Sequence, residues 1–417
     1  MATASARSRD GESVGPAFVA LYVVSLVGIW VALLTPVIEG LAIRVNSLVP
    51  LDEAAGHLSR ITVAGAVCAL VGNAFWGRLS DRTTSRWGKR RPWLIVGAVG
   101  GSLGLLVVAV ADSVLVVAVG WCLAQLMYNA ALSALVATVP DHVPNHQRGL
   151  ISGLVGASLP IGVIIGTYLV RATHPSMVGI LLLPAVVGIV AILLFAAVLR
   201  DAPAERDAVP RYTIATFLET FWVDPVKHRD FAWTWLSRLV LWTGIAGFTL
   251  YKVYFLIFEL GKEPADIPDL ILTAVVVGSG ATLAASIAGG RLSDRLGRRK
   301  PFIVASGLLY GGGLLVIAAT RSWDGFLVGT AIAGAGQGLF LGVDLALAND
   351  VLPSPETAAH DLGVLNIANT LPQALAPTFG PLLIAIDGPN NYLSVTIAGA
   401  VFCVVGGLLV LRVRGVR

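Results

Sequence analysis

The chain has 417 residues, of which 56% are hydrophobic and 13% charged, with a formal net charge of +4. Soluble globular proteins sit near ~45–50% apolar and ~25% charged, so these charges are too few to coat a soluble body of this size. A mean hydropathy of +0.81 and roughly twelve recurring apolar stretches exclude a singly anchored soluble enzyme, a disulfide-rich secreted domain and a nucleic-acid-binding module.

The first sixteen residues are small and polar and read as a short cytoplasmic tail. The apolar run that begins at Ala17 is too long for a signal-peptide core, and eleven more follow it, so it is retained. The spans read as 17–43, 57–77, 92–111, 114–139, 149–171, 177–199, 231–258, 268–289, 301–320, 324–349, 360–386 and 391–411. Each approaches the ~20 residues needed to cross ~30 Å of hydrocarbon. Residues 200–230, with Pro203, Pro210 and Pro225, form a cytoplasmic linker between an N-terminal six-helix bundle (17–199) and a C-terminal one (231–411). Within the linker, Tyr212–Trp222 suits either a helix lying in the membrane interface or an unstructured segment. Residues 412–417 are a second tail. With the N-terminus inside, 22 of the 29 Lys and Arg fall in cytoplasmic segments, which places both termini in the cytoplasm of a cell-membrane protein. The basic residues are then topology determinants and lipid-headgroup partners, leaving nothing for a nucleic acid to explain. Cys68, Cys122 and Cys403 lie inside apolar runs and read as small core residues. His142 and His146 are separated by Pro144, so no metal site is expected.

The two halves repeat. Gly77–Arg82 reads GRLSDR, and so does Gly290–Arg295; Trp87–Trp93 (WGKRRPW) answers Leu296–Phe302 (LGRRKPF), and Asp141-His142-Val143-Pro144 answers Asp350-Val351-Leu352-Pro353. Six spans is an even number, so both halves share one orientation. The expected fold is all-α and polytopic: twelve transmembrane helices as two parallel-repeat six-helix bundles, with substrate between them.

GRLSDR followed by G-[KR]-R-[RK]-P, repeated half a chain later, resembles the signature of the major facilitator superfamily. The extended GRLSDRTTSRWGKRRPW and DLGVLNIANTLPQALAP at 361–377 resemble the sucrose and glycoside–pentoside–hexuronide cation symporters and their actinobacterial relatives. The resemblance covers nearly the whole chain. It implies an intracellular latch at the repeated loops, with Gly77, Asp81, Arg82 and Arg90 in one half and Gly290, Asp294, Arg295 and Arg298 in the other. Physically, Gly77 permits close helix approach, and Asp81 can accept charge-assisted hydrogen bonds from Arg82, Arg90 or another helix. The alternative is that these basic residues only enforce topology. The resemblance also implies that the first and fourth helices of each half line a central cavity. Plant-type sucrose symporters carry an Arg and an Asp where this chain has Ser133 and Thr138, which puts sucrose itself in doubt.

Polar residues inside spans are costly and mark function. Span 4 carries Gln125, Tyr128 and Asn129; span 10 carries Gln337 and Asp344; span 7 carries Arg238 and Trp242. Span 11 carries Asn366, Asn369 and Gln373 on one helical face. Such amides suit a sugar or polyol, or serve as glue between helices. Arg238 and Asp344 lie roughly 10–13 Å below the inner surface, which makes an ion pair between spans 7 and 10 the expectation. Glu39, after Pro36, is either a protonatable coupling carboxylate or a solvated span-end acid facing Arg44. If protons drive the protein, Asp344 or Glu39 carries that role.

No phosphate-cradling GxxxxGK[ST] or Ser/His/Asp arrangement is present, so an enzyme is not expected, nor is a cofactor. Three functions remain. The first is a symporter importing a sugar or glycoside with H+ (or Na+) as coupling ion. The second is a proton-antiport exporter of drugs or metabolites, for which Trp233, Trp235, Trp242 and Phe248 would supply an aromatic cavity. The third is a non-transporting solute receptor. The expected assembly is a monomer.

Overall fold

The computed structural model of the protein describes residues 14–203, 223–352, 358–386, 388 and 390–415. All regular structure among them is helical. In the first half α1 (Pro16–Thr35) runs through a π-helical turn (Pro36–Gly40) into α2 (Leu41–Asn46). It is followed by α3 (Leu51–Asp81), α4 (Arg91–Val110), α5 (Val114–His142), α6 (Asn145–Thr173) and α7 (Met177–Val198). The second half comprises α8 (Arg229–Tyr254), which ends in a second π-helical turn (Phe255–Glu259), then α9 (Ile267–Leu296), α10 (Lys300–Thr320) and α11 (Trp323–Asp350). It closes with α12 (Ala358–Thr370), α13 (Pro372–Ile384) and α14 (Tyr392–Leu409).

Among the described residues, eleven helices are long and apolar enough to cross a membrane. The twelfth expected span is covered by two consecutive 13-residue helices, α12 and α13, joined at Leu371, which keeps α-helical dihedrals (φ −58, ψ −37) and donates to the Ile367 carbonyl at 2.9 Å. Each covers only ~20 Å at 1.5 Å per residue, so the pair is needed to cross. Pro372 has no N–H to bond back into the preceding turn, so one backbone bond is missing there while the chain runs on helically. The sequence pattern suggests one span there, and its start for the second span, at residue 57, falls six residues late. The charged Asp52 and Glu53 mask that start, although acids suit a first helical turn. The expected helix at Tyr212–Trp222 lies outside the described residues.

Local signals fix the ends. Ser113, Ser176, Ser322 and Asn391 cap α5, α7, α11 and α14 by accepting from a backbone N–H three residues on. Each satisfies a donor that the helix start leaves open.

Packing follows the repeat. α3 and α4 lie on α5, and α1 and α4 lie on α7; correspondingly α9 and α10 lie on α11, and α8 and α10 lie on α14. The halves meet through α3 on α13 and α6 on α9. Three side-chain contacts join them at the end remote from the GRLSDR loops. Ser59 and Tyr251 share a hydroxyl–hydroxyl bond of 2.6 Å, Tyr254 donates to Asn46 at 3.0 Å, and Arg171 pairs with Asp269. That end is closed.

Candidate functional site

The repeated loops build two corresponding cages. In the first half Arg90 is 4% exposed. It reaches Asp81 at 2.5 Å, Asp141 at 2.8 Å and the Ser80 hydroxyl at 2.9 Å. Lys89 adds a second contact to Asp141 at 2.9 Å. Asp201 accepts from the backbone N–H groups of Arg90 and Arg91 at 2.5 and 3.0 Å, closing the start of α4 onto the end of α7. Gly88 makes this possible. Its φ is +96, and a Cβ there would collide with the Asp201 carboxylate, so only glycine fits.

The second cage centres on Arg299. It bonds Asp294 at 2.5 Å and Ser293 at 3.0 Å, with Asp350 at 3.8 Å. Arg298, the expected latch residue, is exposed and contributes its carbonyl to the Ser293 hydroxyl instead. The repeat register, which sets Arg90 against Arg299, holds the signal that points to Arg299; Asp141 and Asp350 complete the match. Arg295 is exposed and Arg82 half-buried at their helix ends. A Cβ at Gly290 would meet the Gly342 carbonyl at 3.1 Å, so α9 and α11 do approach closely there. At Gly77 the nearest atom would be 3.9 Å away, so no close approach is enforced.

Deep in the second half Arg238 and Asp344 form an ion pair, with side chains 10% and 9% exposed. One turn further on each helix Trp242 meets Phe340, edge to face, at 6.0 Å between ring centroids. Residues four apart share a helix face, so Arg238 and Trp242 on α8 oppose Asp344 and Phe340 on α11, with half-buried Gln337 on that same face. Two donors here have no partner: Arg238 Nε and Trp242 Nε1 are buried without a hydrogen bond.

The first half presents amides. Asn129 accepts from Asn73 at 3.3 Å and donates to the Gln125 carbonyl at 2.8 Å. Asn73, which no sequence pattern singles out, thus ties α3 to α5. Tyr128 points elsewhere. Its ring fills the space beside Gly101 and its hydroxyl meets Ser102 at 3.1 Å, so it packs α5 on α4. Ser133 and Thr138 turn their hydroxyls back onto their own helix.

The expected stripe of span 11 straddles the join at Leu371. Asn369, half-buried, ends α12, whereas Gln373 is exposed on α13; the side chain of Asn366 lies outside the described set. Of the aromatic residues of α8, Trp235 donates to the Val364 carbonyl at 2.9 Å, and Trp233 carries Arg412 over its ring at 5.3 Å. Phe248 packs on Phe255 and Phe326. Glu39 is fully buried, and Arg44 is committed to the Val108 carbonyl and Ser47, so the expected Glu39–Arg44 pairing is absent.

The sequence model described as the Major Facilitator Superfamily matches residues 17–284 and 267–417. The chain is similar to the class G tetracycline resistance protein of Vibrio anguillarum, with 23% identity over 394 residues, 90% of this chain and 92% of that protein. An uncharacterized MFS-type transporter of Bacillus subtilis (strain 168), YfiU, is 34% identical over 106 residues, 25% of this chain and 20% of that one. Among solved structures, a point mutant of the nucleoside transporter NupG superimposes with a TM-score of 0.74 at 13% identity, covering 95% of this chain and 99% of that one. A bacterial homologue of the human lysosomal transporter Spinster, inward-facing and unoccupied, gives 0.68 at 14% identity, with 96% of both chains covered.

Proposed function

Since the chain belongs to the Major Facilitator Superfamily, and is therefore a multi-pass membrane transporter and not an enzyme, we propose that it moves a small polar solute by alternating access, coupled to a cation. The observation that carries this reading is the pair of unpartnered donors, Arg238 Nε and Trp242 Nε1, one turn apart on α8 beside Asp344. Donors left dry are unfavourable. A solute with adjacent acceptor oxygens, as in a sugar, glycoside or nucleoside, would satisfy both once the surrounding helices shift. The arginine charge is already balanced by Asp344, which favours a neutral solute. The loop motifs add support for a sugar or glycoside. Protons are the proposed coupling ion, with Asp344 or Glu39 as carrier. The distribution of Lys and Arg supports a cell membrane with both termini cytoplasmic, and the protein is proposed to act as a monomer.

The test is a thermal-shift panel of neutral polyhydroxylated solutes on purified protein. At least one should stabilise it, and Trp242→Phe, which keeps the ring but removes the donor, should weaken that solute by about 1–3 kcal/mol. Stabilisation confined to apolar compounds, indifferent to Trp242→Phe, would refute the polar-solute reading.

A second reading, proton-antiport export of a drug or metabolite, is favoured by the tetracycline resistance relative, whose similarity spans 90% of the chain. Against it, Trp233, Trp235 and Phe248 are engaged in packing or hydrogen bonding within their own half, so the aromatic cavity that it requires is reduced to Trp242 and Phe340.

A further inference from the structure

Among the described residues, three indole N–H groups are buried without a hydrogen-bond partner: those of Trp30, Trp76 and Trp242. Trp76 has a packing role, since its ring meets Phe75 and Trp93, each at 4.9 Å between centroids. Trp242 belongs to the site already described. Trp30, on α1, has no such duty.

The internal repeat relates Trp30 to Trp242. Ser25 on α1 donates to the Ala191 carbonyl of α7, and Ser237 on α8 donates to the Gly406 carbonyl of α14. This is one contact made twice, first helix to last helix in each half, and it sets the register. Counting on from each serine, Trp30 and Trp242 both stand five residues along. At 3.6 residues per turn, five residues carry a side chain about 140° round the helix. Each indole therefore leaves its helix on the side away from α7 or α14. That side is the inner one: α1 packs on α6, which meets α9 of the other half, and α8 packs on α13, which meets α3. A Cβ at Gly162 of α6 would lie 2.7 Å from the Trp30 Cβ, so the bare glycine makes room for the root of this side chain.

The equivalence is not complete. One residue along from each serine stand Leu26, which is buried, and Arg238, which is paired with Asp344. The second half thus sets a charged pair and a further open donor, Arg238 Nε, beside its indole, where the first half has an apolar side chain.

We propose that Trp30 is a second solute-contacting residue, and that Trp30 and Trp242 donate to opposite ends of one solute, one from each half. The end at Trp242 is polyhydroxylated, because two open donors await it there. The end at Trp30 supplies one acceptor and a ring that can lie against an indole. The solute class is therefore a sugar joined to a second ring, as in a disaccharide, another glycoside or a nucleoside, and not a single hexose. This inference rests on the polar-solute reading above and adds a residue and a shape to it.

The test is a thermal-shift titration of the purified full chain with hexoses, the disaccharides built from them and nucleosides. The tightest binder should be a two-ring solute. Trp30→Phe keeps an aromatic ring but removes the donor, and should weaken that solute about fivefold, the loss of one net hydrogen bond. Trp242→Phe should weaken it at least as much. Trp76→Phe removes the third open donor and should leave the affinity unchanged. A fluorinated tryptophan placed at position 30 by codon suppression keeps the indole, and carries the test alone if Trp30→Phe does not fold: its fluorine resonance should move when the solute is added. A single hexose as tightest binder, an unchanged affinity in Trp30→Phe, a stationary fluorine resonance or an equal loss in Trp76→Phe would each overturn the proposal. The two readings fail separately. A loss in Trp242→Phe with none in Trp30→Phe counts against Trp30 alone, whereas indifference of both variants, or no polar binder at all, removes the polar-solute reading and this proposal with it.

Discussion

Arg238 and Asp344 lie in the membrane interior, where each is tolerable because of the other. Removing one partner leaves an uncompensated buried charge, whereas removing both leaves two neutral side chains of similar size. Asp344→Asn should therefore destabilise the protein by about 3–5 kcal/mol, seen as a lowered Tm in detergent or nanodiscs. Asp344→Asn combined with Arg238→Gln should recover most of that loss. A double variant no more stable than the single one would mean that the pair is not what keeps these charges in place. This pair is legible in the sequence because charges are scarce inside spans, and their depth can be counted from the helix ends. The environment of Glu39 is not. Its neighbour in sequence, Arg44, is an obvious partner on a regular helix, but the π turn and the pull of Val108 and Ser47 separate them. Side-chain direction across a π turn cannot be read from spacing.

At the scale of elements, the two loop cages share a plan but not a degree of enclosure. Arg90 is sealed between α3, α4 and α5, with Asp81, Asp141 and Ser80 all engaged, and Asp201 holds the backbone beneath it. Arg299 is half-buried, its Asp350 is 3.8 Å away, and no acid plays the part of Asp201 for its backbone among the described residues. Arg90→Ala should thus lower the unfolding temperature markedly, since it strands the buried Ser80 hydroxyl and the partly enclosed Asp141 carboxylate. Arg299→Ala should have a small effect, in keeping with a largely solvated ion pair. Thermal unfolding of the two variants decides it, and equal losses would contradict the asymmetry. The plan of the cages is legible through the internal repeat. Which arginine fills the second one follows from strict register, and reading the loop as a general basic cluster obscures it. Span 11 carries a subtler feature. Its apolar length and amide spacing suit one span, and Pro372 removes a single backbone donor there without turning Leu371 out of the helical region.

For the molecule as a whole, the twelve-span plan and its two-fold repeat follow from hydropathy and the recurrence of GRLSDR, because a bilayer leaves few backbone solutions. The contacts between the halves are not legible. Ser59 with Tyr251 and Asn46 with Tyr254 join residues about two hundred positions apart, and no local pattern signals them. They hold one end shut while Arg238, Trp242 and Asp344 lie within the second half, an arrangement suited to a carrier that exposes its solute to one side at a time. The most direct test of that account is gradient-driven transport. Purified protein would be reconstituted into liposomes, an inwardly directed proton gradient imposed, and uptake followed for a neutral polyhydroxylated solute found in the thermal-shift panel. The account predicts accumulation above the external concentration, abolished by a protonophore. Expulsion of preloaded solute against the proton flow, or no response to the gradient, would contradict it.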